Sequence, residues 1–397
     1  MSGYKEIVLR PKKEESLKRF HPWIFSGAIA HKPDGLEEGD VVRVMGSDGN
    51  FLGVGHYQVG SIAVRILSFH DEPVDIAFYK KNITQAYALR QVLHLLRPGN
   101  NTFRLVHGEG DHLPGLIIDI YGKAAVIQAH SVGMHRDLNL ITDALQQVLS
   151  ENSLEHIFYK SEGTLPFKAG INAVDTYLLG GDRVEDVALE NGLKFHIDWL
   201  KGQKTGFFID QRENRSLLEQ YAAGRHVLNM FCYTGGFSVY ALRGGAATVD
   251  SVDSSPKAVS LTGRNVALNF DDELRHTAVA EDAFKYLKQM PEGKYDLIVL
   301  DPPAFAKHRG AINNALQGYK KLNLSALEKL APGGILFTFS CSQAITKEQF
   351  RLAVFSAAAI SGRKVRILHQ LTQPADHPVN IYHPEGEYLK GLVLQVE

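Results

Sequence analysis

Hydrophobic and polar positions follow two different patterns along this chain. Up to about residue 69, short alternating runs such as 40–45 and 62–67 are separated by Gly-containing turns, which predicts a small β-barrel. From about residue 187 onward, apolar strands alternate with helical segments, which predicts parallel strands with right-handed crossovers. Between them lie a helical stretch and several short strands, typical of an α+β domain. The predicted fold class is therefore α/β with a Rossmann-like C-terminal domain, and the expected domains are 1–72, 73–185 and 186–397.

The strongest local pattern is residues 227–241, an apolar strand followed by a Gly235-Gly236 turn and an amphipathic helix. The next strand ends at Asp253. Such a turn points backbone N–H groups at a ligand, and the acid can accept hydrogen bonds from ribose hydroxyls. The glycines lack the G-x-G-x-x-G spacing of a dinucleotide site, so S-adenosylmethionine fits better. A chance Gly-Gly pair is the alternative for this segment alone. The predicted cofactor contacts here are Asn229, Phe231, Tyr233, Thr234, Gly235, Gly236, Asp253 and Ser254.

Two further acids follow apolar strands. Asp282 is expected to accept a hydrogen bond from the adenine amine, although an N-cap is the alternative role. Asp301 precedes Pro302-Pro303, which cannot continue a strand and which fix the backbone at its end. Three acids at the ends of successive strands predict a ligand site at the carboxyl edge of the sheet.

Composition limits the remaining possibilities. The 397 residues are 44% hydrophobic, enough for two or three domains, and no run approaches the roughly 18 apolar residues of a membrane span. Without an apolar N-terminal signal, a cytoplasmic location and no membrane partner are expected. The only cysteines, Cys232 and Cys341, exclude a disulfide scaffold and a multi-cysteine zinc site, and no metal is predicted.

The net charge of −1 provides no global attraction to nucleic acid, so RNA binding requires local patches. Lys18 and Arg19 lie beside Trp23, a basic and aromatic combination that can clamp RNA. Core packing is the alternative for Trp23. The acids Glu109 and Asp111 lie in a turn that we expect to be solvated rather than metal-binding.

Several motifs together resemble the ribosomal RNA large subunit methyltransferase I family, over nearly the whole chain. The matching segments are His21-Pro-Trp-Ile-Phe-Ser-Gly27, Leu113-Pro-Gly-Leu-Ile-Ile-Asp119, Lys204-Thr-Gly-Phe-Phe-Ile-Asp-Gln-Arg212, Asn229-Met-Phe-Cys-Tyr-Thr-Gly-Gly-Phe237, Asp301-Pro-Pro-Ala-Phe305, Thr338-Phe-Ser-Cys-Ser342 and Pro384-Glu-Gly-Glu-Tyr-Leu-Lys-Gly391. The resemblance implies a PUA domain, a middle α+β domain and a class I methyltransferase domain. It also implies methylation of carbon 5 of a cytosine in 23S rRNA, either free or in a large-subunit assembly particle. A dimer is possible.

The resemblance also assigns roles to single residues. It implies that Asp253 and Asp282 hold the ribose and the adenine of the cofactor. Gln211 and Asp301 are further predicted cofactor contacts. The expected RNA contacts are Lys18, Arg19, Trp23, Lys204, Phe208, Arg212, Pro302 and Lys307. Ala304 departs from members that carry a basic residue after the two prolines, so the RNA contact at this position is open.

Carbon 5 of cytosine is a poor nucleophile, and a thiolate that adds to carbon 6 activates it. Cys232 lies inside the cofactor turn and is expected to pack there, whereas Cys341 follows an apolar strand and should emerge at the same edge as Asp301. Cys341 is therefore the predicted nucleophile, and Asp301 is predicted to hold the protonated N3 of the base. A buried, unreactive Cys341 is the alternative. Methylation of an exocyclic amine and a catalytically silent RNA-binding assembly factor also remain open.

Overall fold

The chain divides into two compact units, and each unit is made of three separate segments of the sequence. Unit 1 contains residues 1–191, 197–209 and 375–386, and unit 2 contains residues 192–196, 210–374 and 387–397. A computed structural model describes residues 3–150, 154–166, 170–181, 186–271, 273–306 and 308–397. The first two predicted domains thus fall within unit 1, together with three segments from the predicted third domain, 186–191, 197–209 and 375–386. The three domain boundaries stay predictions.

The N-terminal part of unit 1 is a six-stranded sheet in the order β2-β6-β5-β4-β1-β3, in which β1 and β4 are parallel and the other pairs antiparallel. Its strands are β1 (Lys5–Leu9), β2 (Trp23–Phe25), β3 (Ile29–His31), β4 (Val41–Met45), β5 (Phe51–Tyr57) and β6 (Ile62–Ser68), with the short helix α1 (Glu15–Lys18) after β1. Alternation along β4 buries Val42 and Val44 completely, as expected of a strand with one face on a core. The β-rich N-terminal region predicted from the sequence is confirmed.

The second part of unit 1 is a five-stranded sheet in the order β11-β10-β9-β8-β7. Its strands are β7 (Thr102–His107), β8 (Leu116–Tyr121), β9 (Ala124–Ala129), β10 (His156–Tyr159) and β11 (Thr176–Leu179), and its helices are α2 (Ile76–Val92), α3 (Val132–Arg136) and α4 (Leu138–Val148). Helix α2 begins where the Asp75 carboxylate accepts a hydrogen bond from the backbone N–H of Phe78, at 3.0 Å. Side chains from α2, α4 and the sheet form one apolar core.

The turn that carries Glu109 and Asp111 differs from its prediction. Asp111 is 7% exposed and accepts hydrogen bonds from both terminal nitrogens of the fully buried Arg90, at 2.5 and 2.8 Å. Glu109 accepts a hydrogen bond from Nε1 of Trp23 at 2.9 Å. The expectation of a solvated turn was wrong, because the partners of both acids lie on elements that are distant in the sequence.

Unit 2 is built on a seven-stranded sheet in the order β16-β15-β14-β17-β18-β20-β19. The chain enters it through a hairpin that turns at Asn191-Gly192, between β12 (Asp186–Glu190) and β13 (Leu193–Ile197). The sheet contains β14 (His226–Met230), β15 (Thr248–Asp253), β16 (His276–Ala280), β17 (Leu297–Leu300), β18 (Gly334–Ser340), β19 (Val365–Leu371) and β20 (Lys390–Val396). Its helices are α5 (Arg212–Tyr221), α6 (Gly236–Arg243), α7 (Pro256–Ala267), α8 (Ala283–Gln289), α9 (Ile312–Lys329) and α10 (Lys347–Ser361).

The pairing in this sheet determines where a ligand can bind. β14 is parallel to β15 and β17, and β17 is parallel to β18, whereas β20 runs antiparallel to both of its neighbours. The strand order reverses at β14, and ligands of open α/β sheets bind at such a switch point, beyond the carboxyl ends of the strands. Among the described helices, none is long and apolar enough to cross a membrane.

Candidate active site

The turn after β14 is held in a conformation that few side chains adopt easily. Phe231 and Tyr233 have φ values of +59° and +47°, and Gly235 follows at +76°. A Cβ on Gly235 would lie 2.5 Å from Cγ2 of Thr262, so the close approach to α7 requires glycine here. Left-handed conformations at non-glycine residues cost about 1–3 kcal/mol each and cluster at ligand sites. The strained turn therefore supports the predicted cofactor loop.

Hydrogen bonds fix this turn to its neighbours. Thr262 Oγ1 donates to the carbonyl oxygen of Tyr233 at 2.9 Å, and the Asn265 side chain donates to that of Thr234 at 2.8 Å. The Asn229 amide nitrogen donates to Ser238 Oγ at 2.8 Å. Asn229 is buried and its amide joins β14 to α6, and the direct cofactor contact predicted for it stays a prediction.

Asp253 lies at the end of β15, next to the turn. Its two carboxylate oxygens accept hydrogen bonds from the backbone N–H groups of Tyr233, at 3.1 Å, and Ser255, at 2.9 Å. Each carboxylate oxygen has a second lone pair, so the group can still accept from two hydroxyl donors. The two hydroxyl groups of a ribose diol would supply these donors. The exposed Ser254 follows Asp253 in the chain.

Asp282 acts as the N-cap of α8. Its Oδ1 accepts a hydrogen bond from the backbone N–H of Lys285 at 2.9 Å, and the side chain is exposed. The structure therefore shows the N-cap role that was the alternative for Asp282. It does not exclude the adenine contact, since an exposed carboxylate keeps further acceptor capacity.

Asp301 lies directly after β17 and forms a hydrogen bond with Gln211, which directly precedes α5. Its Oδ2 accepts a hydrogen bond from the Gln211 amide at 3.0 Å, and Asn214 in turn donates to Gln211 Oε1 at 2.6 Å. Burial and, second, the negative charge of Asp210 raise the pKa of Asp301 to about 7. Asp301 is therefore partly protonated at neutral pH. The sequence did not single out Asp210, although it is adjacent to Gln211 in the same motif.

Cys341 follows β18 at the same edge of the sheet. Its side chain is half-buried, with Sγ 4.0 Å from the carbonyl oxygen of Pro302. The serines on either side, Ser340 and Ser342, each form a 2.9 Å hydrogen bond with the hydroxyl of the buried Tyr319. This network fixes the backbone on both sides of the cysteine.

A buried lysine, Lys390, lies beside this segment. Its ammonium group donates to the carbonyl oxygens of Ser342 and Ile345, at 2.6 and 2.8 Å, and the residue is 5% exposed. Burial lowers the pKa of Lys390 to about 8, while negative charge on Cys341 opposes that shift. Because this attraction is mutual, a protonated Lys390 favours the thiolate of Cys341. Sequence inspection gave no role to Lys390, which faces Ser340 across the pairing of β18 with β20.

The other cysteine has a different environment. Cys232 is 6% exposed, and its Sγ lies 3.6 Å from Oγ1 of Thr262. Burial is the main cause that raises the pKa of Cys232 to about 12. It is therefore a neutral thiol near pH 7 that packs in the turn, as the sequence predicted.

The predicted RNA contacts near the N-terminus are partly exposed. Lys18 has an exposed side-chain fraction of 48% and pairs with Glu14 and Glu15 at 3.7 Å, and Arg19 is exposed. Trp23 is half-buried and donates to Glu109, so its indole is held in place rather than free.

The other predicted RNA contacts differ in accessibility. Lys204 is exposed, and Phe208 is half-buried. Arg212 is 1% exposed, which argues against the direct RNA contact predicted for it. Pro302 is buried, and Lys307 lies outside the described residues.

Comparisons with known proteins agree with this geometry. Residues 171–384 match the model of S-adenosylmethionine-dependent methyltransferases, and residues 7–69 match a PUA-like domain. A protein from Streptococcus mutans described as a SAM-dependent methyltransferase superposes with a TM-score of 0.84 at 25% identity, covering 99% of this chain and 100% of its own. A methyltransferase solved in complex with SAH has a TM-score of 0.85 at 25% identity, with the same coverage. The chain is thus an S-adenosylmethionine-dependent methyltransferase that carries a PUA-like domain.

The sequence relatives are more specific. The ribosomal RNA large subunit methyltransferase I of Tolumonas auensis is 41% identical over 395 residues, which cover 98% of each chain. The protein of the same name from Alteromonas mediterranea is 37% identical over 396 residues, again 98% of each. This chain belongs to the ribosomal RNA large subunit methyltransferase I family.

Proposed function

We propose that this protein methylates carbon 5 of a cytosine in 23S rRNA through a covalent adduct between Cys341 and carbon 6 of the base. The observation that carries the proposal is the position of Cys341. It is half-buried at the carboxyl edge of the sheet, and its Sγ is 4.0 Å from the carbonyl oxygen of Pro302, which directly follows Asp301. When bound, S-adenosylmethionine supplies the methyl group.

The role of Cys341 follows from its surroundings. The Cys341 thiolate adds its electron pair to carbon 6, and carbon 5 thereby becomes able to form a bond to the methyl carbon, whose bond to the sulfonium sulfur of S-adenosylmethionine would break with its electron pair left on sulfur. Loss of the carbon 5 proton to a base then expels the thiolate and restores the ring. The Lys390 ammonium, held by two backbone carbonyl oxygens, favours the thiolate in both the first and the last step.

Asp301 has a complementary role. Addition to carbon 6 moves negative charge onto the pyrimidine ring, and a proton donated to N3 stabilises that charge. A carboxyl group with a pKa of about 7 can supply such a proton near neutral pH, whereas an ordinary aspartate cannot. Gln211 orients the carboxyl group through its 3.0 Å hydrogen bond to Oδ2.

The substrate we infer is an unstacked cytosine in 23S rRNA or in a large-subunit assembly particle. A base inside a duplex cannot reach a sheet edge of this kind without being extruded. The exposed Lys18, Arg19 and Lys204 are the described candidates to contact the RNA backbone.

The test uses rRNA with 5-fluorocytidine at the target position. Fluorine cannot leave as a proton, so the adduct persists and can be detected by mass spectrometry. Wild type and Cys232→Ser should form it, whereas Cys341→Ala should form none and should still bind S-adenosylmethionine. Methylation of carbon 5 by Cys341→Ala would refute the mechanism. A methyl group found on an exocyclic amine would instead support the alternative reaction.

A further inference from the structure

Three side chains of unit 1 outside the methyl-transfer residues converge on one point. His21 lies between α1 and β2, and His383 and Glu385 lie in the C-terminal segment 375–386 of the same unit. Nε2 of His21 is 3.5 Å from Oε2 of Glu385, and Nε2 of His383 is 3.8 Å from the same oxygen. One ligand atom from each of the three residues lies within 4.8 Å of the others. Ligand atoms around tetrahedral zinc, at bond lengths of about 2.0–2.1 Å, are about 3.3–3.4 Å apart. The two distances to Glu385, 3.5 and 3.8 Å, are near this spacing, and the cluster as a whole must contract to hold an ion.

The environment of His383 provides a second, independent observation. The residue is 3% exposed, and neither ring nitrogen has a hydrogen-bond partner among the described residues. A buried polar atom without a partner typically costs about 1–3 kcal/mol, and such an atom requires a physical explanation. The Trp23 ring packs against the imidazole with a centroid separation of 4.3 Å, which positions the imidazole without a hydrogen bond to either of its nitrogens.

We propose that His21, His383 and Glu385 bind one Zn²⁺ ion, with a water molecule as the fourth ligand. Two imidazoles and a carboxylate suit zinc, whereas calcium and magnesium prefer oxygen ligands alone. A bond from Nε2 of His383 to the ion satisfies one of the two unpaired nitrogens.

The contacts of His21 set a condition on the proposal. The backbone N–H of Trp23 donates to Nδ1 of His21 at 3.2 Å, and the carbonyl oxygen of the same residue lies 3.4 Å from that nitrogen. With Nε2 on the ion, Nδ1 must carry the proton and donate to this carbonyl oxygen, as metal-binding histidines commonly do, and the N–H of Trp23 must give up its contact with Nδ1. Trp23 is in turn held by its 2.9 Å hydrogen bond to Glu109. The ion would fasten the segment 375–386 to the N-terminal sheet within unit 1.

The experiment uses the full-length protein, prepared without a histidine tag and stripped with a chelator. It is titrated with ZnCl₂ in competition with a chromophoric zinc chelator, and separately with Co²⁺, whose visible absorption reports four-coordinate geometry. We expect one equivalent of zinc per chain. His383→Ala and Glu385→Gln should each weaken binding at least about tenfold, because even residues behind the metal ligands contribute about ten- to a hundredfold. His31→Ala, which removes an exposed imidazole of the same unit, is the matched control and should bind like wild type.

A second measurement separates a built site from adventitious binding. Both tryptophans of the chain, Trp23 and Trp199, lie in unit 1, so their fluorescence follows the unfolding of that unit. Zinc should raise its melting temperature in wild type and His31→Ala, and not in Glu385→Gln. Glu385 has an exposed side-chain fraction of 49%, so this variant should fold even if His383→Ala does not. Absence of stoichiometric zinc, or equal binding by Glu385→Gln and His31→Ala, would overturn the proposal.

Discussion

The raised pKa of Asp301 predicts that unit 2 loses stability as the pH rises towards 8. The Asp301 carboxyl group has a pKa of about 7 in the folded protein, compared with an ordinary value of 3.8. Between these values the folded state keeps a proton that the unfolded chain has lost, so the free energy of unfolding falls with increasing pH. The stabilising contribution is complete below pH 3.8 and is lost as the pH passes through about 7. Replacement by Asn removes this dependence and keeps an oxygen that can accept from Gln211.

The expected size follows from the same shift. From pH 5 to pH 8 wild type should lose about 2–3 kcal/mol of unfolding free energy relative to Asp301→Asn, since one pKa unit corresponds to about 1.36 kcal/mol. Asp210→Asn provides a further test, because the charge of Asp210 contributes to the shift. This variant should move the loss of stability to lower pH. Its new amide oxygen can still accept the 2.7 Å hydrogen bond from Tyr388.

The assay must report on unit 2 alone, and tryptophan fluorescence cannot, because both tryptophans lie in unit 1. Hydrogen exchange measured by mass spectrometry at increasing denaturant concentration resolves peptides from β14 and β17. The protein is studied without cofactor, at several pH values from 5 to 8. Identical pH dependence in wild type and Asp301→Asn would show that Asp301 ionises normally, and the proposed proton donation to N3 would lose its physical basis.

Three further predictions concern single sites. Asp253→Ala should weaken S-adenosylmethionine binding about ten- to a hundredfold, or roughly 1.5–3 kcal/mol, because it removes a charged hydrogen-bond acceptor; unchanged affinity in calorimetry would mean that the cofactor lies elsewhere. Lys390→Met should slow alkylation of Cys341 at pH 7 by about tenfold and Lys390→Arg by less, and equal rates in all three proteins would remove Lys390 from the mechanism. Replacing Lys18 and Arg19 by Ala should reduce the slope of log K against log salt for rRNA binding by about 0.7 per lost phosphate contact, and an unchanged slope would place the RNA elsewhere.

Features that lie close together in the sequence were predicted well. The strand, the glycine turn and the acid at the end of the next strand are local patterns, and the parallel sheet places them at one edge whatever the details of packing. Asp253 and Asp301 therefore occupy the expected strand ends. The α/β class and the β-rich N-terminal region follow from periodicity in the same way.

Features that depend on long-range packing were not predictable from the sequence. The expected solvation of Asp111 failed because Arg90, on α2, reaches it across the fold. The burial of Arg212 was missed because its motif gives no indication of which side faces the core. His21 and His383 meet only because segment 375–386 returns to unit 1, and no local pattern reports such a return.

The two cysteines show how packing determines chemistry that the sequence leaves open. Both follow or adjoin apolar strands, and each lies close to a hydroxyl-bearing residue. Cys232 is enclosed in the cofactor turn, where burial and the charge of Asp253 raise the pKa of its thiol. Cys341 is half-buried, and the buried ammonium group of Lys390 donates to the carbonyl oxygen of the next residue, Ser342. A thiolate is disfavoured at the first position, whereas a positive charge lies beside the second, and this contrast supports the proposal of Cys341 as the nucleophile.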